Sequence, residues 1–318
     1  MKKIKDLNAG DSFRGNILLK TSTLKTTSKG SFYLDMVFAD CSAQIPAKLW
    51  AVSDLMAKNP PNGGTIVYAE FSVEEYNDSL QARATVVQTI EDISEVDLSE
   101  IVPVAPADPK VMYHFIMDVV SKELKEDYKN VVTAAYEENK KKIFSLPAAK
   151  SVHHDFLGGL LYHTSKMLQT AVSLSRIYKE IDKELLFTGV ILHDIAKIQE
   201  FSTSEIGLVE EYSTEGNLLG HITMGVAYVA GLCQKFGVSK ERTTLLLHMI
   251  LAHHGEPEMG SPIKPKILEA KILNLCDQID ADVQIFSKAT ANIEPGTFSE
   301  RVFALGTSVY KPKNPEKS

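Results

Sequence analysis

From Asp11 to about Ile93 apolar and polar positions alternate in short runs broken by turn residues, the period of strands packed on one face. Phe32, Leu34, Met36 and Phe38 fall on one side of such a run, and Ser31, Tyr33 and Asp35 on the other. Residues 43–50 alternate in the same way, residues 51–58 read as a short helix, and Pro60-Pro61-Asn62-Gly63-Gly64 stops it. Residues 65–75 and 80–90 read as two further strands joined by a hairpin around Tyr76-Asn77-Asp78. Five strands with a helix between the third and fourth is the order of an OB-fold, a small barrel that binds single strands on the face of its second and third strands.

The period then changes. Residues 91–110 are acidic and then rich in proline (Pro103, Pro106, Pro109), as a linker would be. Beyond them amphipathic helical runs dominate, expected over 111–125, 127–144, 160–178, 183–198, 221–236, 240–253 and 265–286. The expected organisation is therefore an OB-fold barrel over 1–93, a linker over 94–110, an all-α domain over 111–310 and a frayed tail over 311–318. The fold class is multidomain α and β.

Composition excludes several classes. The chain has 318 residues with 34 Lys and Arg against 41 Asp and Glu, a formal net charge of −7, so it does not coat nucleic acid by bulk electrostatics. Local charge differs: residues 1–30 carry Lys2, Lys3, Lys5, Arg14, Lys20, Lys25 and Lys29 against Asp6 and Asp11. Lys20, Lys25, Tyr33, Lys48 and Trp50 are candidate nucleic-acid contacts, since charge beside aromatic rings holds single strands with little sequence preference. The alternative for them is an ordinary solvated face with Trp50 in the core. Cys41, Cys233 and Cys276 form no CxxC pair, which points to a reducing cytoplasm. No apolar run reaches membrane-spanning length, and no membrane partner is expected.

Eight of the nine histidines lie between His153 and His254. His114 and His248, alone on helical runs, read as structural. His193-Asp194 lies inside "FTGVILHDIAKI", where burying an imidazole and a carboxylate without a partner is costly. A divalent metal removes that cost, because neutral imidazoles and carboxylates are its ligands and the ion supplies the missing charge. Lys197, three residues past Asp194, shares its helical face and can reach an anion bound there. His163 in "GGLLYHT", His221 after Gly220, His253-His254 before Gly255, and Asp277 in "KILNLCDQIDADV" each sit at an element end or on an apolar helix. Their convergence on one centre is sterically open. Adjacent His253 and His254 both reach one ion only if the helix ends there, as Gly255 suggests. His154 stands open between a substrate contact and a structural role. Glu256 and Glu258 are candidates to orient histidines, against a solvated loop.

In this order, His, His-Asp, His, His-His, Asp resembles the HD-domain metal-dependent phosphohydrolases, with Ala196 where the superfamily usually carries glycine. The barrel segment "GSFYLDMVFADCSAQIPAKLW" resembles nucleic-acid-binding OB domains. "HHDFLGGLLYHT", "LHDIAKIQEF", "GHITMG", "LAHHGEPEMGSP" and "ERVFALG", together with the domain order, resemble the YhaM family of 3′ to 5′ exoribonucleases over nearly the whole chain. That resemblance implies metal-dependent removal of nucleotides from the 3′ end of single-stranded RNA, with single-stranded DNA as a second candidate. It implies one ion held by His163, His193, Asp194 and Asp277, and another by Asp194, His221, His253 and His254. Asp194 and Lys197 are the implied catalytic residues, and manganese the implied metal, with iron, cobalt, zinc and magnesium as alternatives. Two rival functions stay open: an HD phosphohydrolase of nucleotides or cyclic dinucleotides, and a non-catalytic nucleic-acid-binding protein. The ligand set and Lys197 weigh against the last, and the barrel favours a polymer substrate. Oligomeric state is unreadable in the pattern, and a homo-oligomer is compatible with it.

Overall fold

The computed structural model describes residues 2–77, 79–90, 92–93, 96–148, 156–204 and 207–313. They form two compact units, one of residues 1–104 with 203–210, the other of residues 105–202 with 211–318.

In the first unit, β1 (Ser12–Thr26), β2 (Phe32–Ala39), β3 (Gln44–Leu49), β4 (Thr65–Tyr76) and β5 (Ser79–Thr89) close a barrel in the order β1-β2-β3-β5-β4. Helix α1 (Asp54–Lys58) sits between β3 and β4, started by the Ser53 hydroxyl, which accepts from Met56 N–H at 3.2 Å. All ladders are antiparallel except β3 with β5, where Ala47 faces Ala82 and Leu49 faces Ala84. This is the OB-fold topology. The long β1 serves two ladders: its first half pairs with β4 and its second with β2, with the register slipping between Leu19 and Thr21. A bulge of this kind bends one strand around a small barrel.

Alternation sends Leu34, Met36 and Phe38 inward to meet Leu19, Ala47 and Phe71, and Phe71 stacks between Phe13 and Phe38 at centroid distances of 4.8 and 5.4 Å. Phe32 departs from the expected inward row and is 45% exposed. The ladder to β3 begins only at Leu34, so at Phe32 the barrel has no interior to enter. The expected linker region contains a 3₁₀ turn at Leu98–Glu100 and the buried pair Ile101 and Val102.

The second unit contains α2 (Pro109–Glu123), α3 (Glu126–Glu138), α4 (Lys140–Ser145), α5 (Gly159–Ile177), α6 (Lys183–Leu192) and α7 (Lys197–Glu200). A small hairpin, β6 (Phe201–Thr203) and β7 (Val209–Tyr212), precedes α8 (Thr214–Lys235), α9 (Lys240–Ala252) and α10 (Leu268–Thr290), and the hairpin β8 (Phe298–Val302) and β9 (Thr307–Tyr310) packs on α10. Two long helices expected from the pattern are broken. The run over 127–144 stops at Asn139, whose amide donates back to the Ala135 carbonyl at 2.9 Å and competes with the helical ladder. The run over 183–198 stops after Leu192; there Ile195 N–H reaches Leu192 O and Lys197 N–H reaches Asp194 O, a tightened i to i−3 turn. Helix α8 is as apolar as a membrane span over part of its length, but Gly220 interrupts it at φ 68°, ψ 155°, and it packs on α3, α7 and α9.

Candidate metal centre

The tight turn at residues 193–196 does what a continuous helix could not: it turns His193 and Asp194 together into the middle of the unit, with both side chains buried. Around them stand His163 from α5, His221 at the kink of α8, His253 and His254 at the end of α9, and Asp277 from α10. Gly158, at φ 74°, opens α5 within van der Waals reach of the Phe144 carbonyl, and a side chain there would crowd that carbonyl. Gly255, at φ 84°, ends the turn after α9. With the helix over at Ala252, the rings of His253 and His254 come to 4.1 Å between centroids and face the same side.

Five imidazoles share one feature. Nδ1 of His163 lies 2.7 Å from Asp280 Oδ2, that of His193 2.8 Å from Val190 O, and that of His221 3.0 Å from Glu200 Oε1. For His253 the partner is Ile250 O at 2.7 Å, and for His254 it is Met259 O at 2.9 Å. Carbonyls and carboxylates only accept, so each ring carries its proton on Nδ1 and presents the Nε2 lone pair inward. This is the tautomer that metal-ligating histidines need, set by their outer partners.

These lone pairs fall into two groups. His163, His193 and Asp277 form one and His221, His253 and His254 the other, the donor atoms of each lying within 4.8 Å of one another. Asp194 stands between them. Its Oδ2 is 3.3 Å from His193 Nε2 and 3.9 Å from His163 Nε2; its Oδ1 is 3.3 Å from His221 Nε2 and 3.7 Å from His253 Nε2. Asp194 Oδ1, His221 Nε2 and His253 Nε2 are buried with no hydrogen-bond partner. Lone pairs facing lone pairs in a dry interior repel, and a cation resolves them at once. The donor set of imidazoles and carboxylates therefore fits divalent ions of the first transition row.

Among the described residues, Lys197 is the one buried ammonium at this centre, with Nζ 2.7 Å from Asp194 Oδ2. Burial alone would raise the carboxyl of Asp194; the charge of Lys197 outweighs it and holds Asp194 well below the usual carboxylate range. Lys197 is held above its ordinary value in return, against the opposing effect of burial. Burial pushes His253 well below the ordinary imidazole value, keeping it a neutral donor. A cleft of about 300 Å³ reaches Asp194, Lys197, His221, His254 and Asp277 from outside, with Met259 on its wall.

Two carboxylates escaped sequence reasoning. Glu200 accepts from both the backbone N–H of His221, at 2.9 Å, and its Nδ1–H; Asp280 holds His163. The kink at Gly220 turns the His221 amide towards the Glu200 side chain, and Gly216 has no Cβ where one would strike the Glu200 carbonyl. The available signals were spacing: Asp280 lies three residues past Asp277 on one helix, and Glu200 three past Lys197. Glu256 and Glu258, the expected candidates for this work, do not do it. Glu256 pairs with Lys264 at 2.5 Å, because the loop after Gly255 carries both outward, and Glu258 is exposed. His248 accepts from Lys266 N–H, 2.9 Å away, outside both groups. His154 lies outside the described residues.

The remaining candidates lie on the barrel. Tyr33 and Trp50 stack at 4.8 Å with 26° between planes, and Lys48 Nζ stands 5.4 Å over the indole. Trp50 is 47% exposed, so it belongs to the surface and not to the core. Lys25, opposite Tyr33 in the β1–β2 register, pairs with Asp35 at 2.5 Å, and Lys20, at the β1 bulge, donates to Gln44 Oε1 at 2.9 Å. The basic N-terminal stretch is largely neutralised inside its own unit: Lys2 faces Asp11, Lys3 faces Glu100 and Arg14 faces Glu70.

Residues 160–282 match the HD domain family. Among solved structures, the second OB-fold domain of replication protein A from Methanococcus maripaludis is similar at 18% identity, covering 29% of this chain and 95% of that one with a TM-score of 0.22. The first unit is assigned to the OB class on its own strand order. Fold and site thus define an OB-fold barrel joined to a helical HD domain, the domain type of metal-dependent phosphohydrolases.

Proposed function

We propose that this chain is a cytoplasmic 3′ to 5′ exoribonuclease of the YhaM type, hydrolysing single-stranded RNA to 5′-mononucleotides, with single-stranded DNA as a second substrate class and two manganese ions as its metals. The observation that carries the reading is the pairing, in one chain, of an exposed Tyr33–Trp50 stack under Lys48 with two inward-facing ligand groups that share Asp194. A stacking platform with a nearby cation suits successive bases of a single strand, because every base has a π-face. A mononucleotide has no need of it.

Divalent ions held at such a centre would supply a water of lowered pKa and positive charge for the phosphate. The chain's own residues do the rest. His163, His193 and Asp277 would hold one ion, His221, His253 and His254 the other, and Asp194 would span both through its two oxygens. Asp280 and Glu200 keep His163 and His221 in the donor tautomer. Lys197, on the cleft and charged, neutralises phosphate oxygens as the nucleotide is cut away. Tyr33, Trp50 and Lys48 grip the strand, with Lys20 and Lys25 as outlying contacts.

The test is a time course with 5′-labelled single-stranded RNA, with and without Mn²⁺. The expected result is a metal-dependent ladder shortening from the 3′ end. Intact RNA beside hydrolysis of a nucleotide or cyclic dinucleotide would assign the centre to small substrates, and no hydrolysis of either would leave a binding protein.

A further inference from the structure

Beyond the candidate ligands and the two carboxylates behind them, one buried amide holds the turn that follows α9. Asn274 lies on α10 with 1% of its surface exposed. Its Nδ2 donates to the backbone carbonyl of His253 at 2.9 Å, and Lys271 Nζ, one turn earlier, donates to its Oδ1 at 2.9 Å. The lysine settles which way the amide faces, since an ammonium only donates and so must meet the oxygen. Gly255 fits against the same side chain: a Cβ there would stand 2.7 Å from Asn274 Nδ2. The turn His253-His254-Gly255 is thus clasped onto α10 at the point where α9 has ended and its own ladder no longer holds it.

We infer that Asn274 is the positioning residue of the three-histidine site: it fixes the turn that carries His253 and His254, and leaves the site of His163, His193 and Asp277 to its own supports. The asymmetry follows from the contacts. His163 and His193 are backed by Asp280 and Val190, and Asp277 is carried in the body of α10, none of which passes through Asn274. On the other side, His221 is backed by Glu200, and the rings of His253 and His254 by the carbonyls of Ile250 and Met259, but the backbone turn that carries both of these histidines is tied to α10 by the amide. The inference rests on the metal-centre reading of these residues and is independent of whether RNA is the substrate.

The experiment loads full-length metal-free protein with Mn²⁺ and follows binding by calorimetry and electron paramagnetic resonance. Wild type should take up two ions and show the spectrum of a coupled pair. Asn274→Ala should keep one ion at wild-type affinity, bind the second at least about tenfold more weakly, the scale typical of lost outer-sphere support, and show isolated ions at the same loading. Lys271→Met, an exposed change that frees the amide to turn, should weaken the same ion about threefold, and it carries the test should Asn274→Ala fail to fold. Two ions at unchanged affinity in both variants, or equal weakening of both ions, would overturn the assignment. A wild type that binds no ion would overturn the metal centre itself, a result separable from failure of the positioning role.

Discussion

The barrel and the helical centre treat polar groups in opposite ways. Asp40, in the turn between β2 and β3, accepts from Ile4 N–H at 2.7 Å, Ser42 N–H at 2.7 Å, the Ser42 hydroxyl at 2.6 Å and Ala43 N–H at 3.0 Å. Its carboxylate is fully answered within the chain. Asp194, more deeply buried, has one oxygen paired with Lys197 and the other facing only nitrogen lone pairs. Among the described residues, the barrel's orphaned side-chain atom is a neutral hydroxyl, Ser22 Oγ, whereas the centre's are a carboxylate oxygen and two imidazole nitrogens. Each orphan costs about 1–3 kcal/mol when left unmet, and more when charged. A closed polar network stabilises a fold; a network left open on its inner side is a receptor for a cation.

The sharpest way to break that comparison is at Asp194. Asp194→Asn should lower hydrolysis of both RNA and bis(p-nitrophenyl) phosphate by at least about a thousandfold, because one substitution weakens both ligand groups. Metal content and circular dichroism, measured on the same sample, separate loss of ions from loss of fold; retention of wild-type turnover would end the bridging role.

Next in size are the histidine supports. Glu200→Ala removes the acceptor that holds His221, and metal affinity should fall by about 10- to 100-fold with the barrel's thermal unfolding unchanged. Competition against a chelator reads this directly. Unchanged affinity would mean that His221 needs no such partner.

On the barrel the expected effect is smaller and confined to polymers. Trp50→Ala should raise the KM for single-stranded RNA by roughly tenfold, the lower range of a lost base stack, while kcat on bis(p-nitrophenyl) phosphate stays put. An equal change on both substrates would place Trp50 in folding and not in binding.

The smallest effect concerns pH. The carboxyl of Asp40 lies below its ordinary value although burial opposes this, because the Ser42 hydroxyl and then the amides of Ile4, Ser42 and Ala43 favour the charged form. A depressed carboxyl contributes stability that is complete above the unfolded value near 4 and is lost as pH falls through the folded one. Asp40→Ala should therefore cost the barrel about 1 kcal/mol at neutral pH, discounted because water still reaches the carboxylate, with the difference from wild type shrinking below about pH 4. Denaturant unfolding at both pH values, followed by the fluorescence of Trp50, checks the sign.

Much of this was legible in residue order. The five-strand pattern with its inserted helix carries the barrel because a two-residue period and turn residues are local properties. Histidines and aspartates on otherwise apolar helices mark the candidate ligands, since such groups are costly to bury without a purpose. Local pattern failed where a side chain or a glycine altered the backbone. Asn139 breaks a helix by bonding to it, Gly220 kinks another, and residues 193–196 tighten into a turn that brings His193 and Asp194 inward.

The proton placement on His163 and His221 and the roles of Glu200, Asp280 and Asn274 belong to the tertiary structure alone. Each depends on partners far apart in the chain: Glu200 meets His221 across 21 residues, Asn274 meets His253 across 21, and Asp280 meets His163 across 117. Residue types name the chemistry a chain can perform. Which nitrogen is free to perform it is decided by the acceptor behind the ring, and only folding puts that acceptor there.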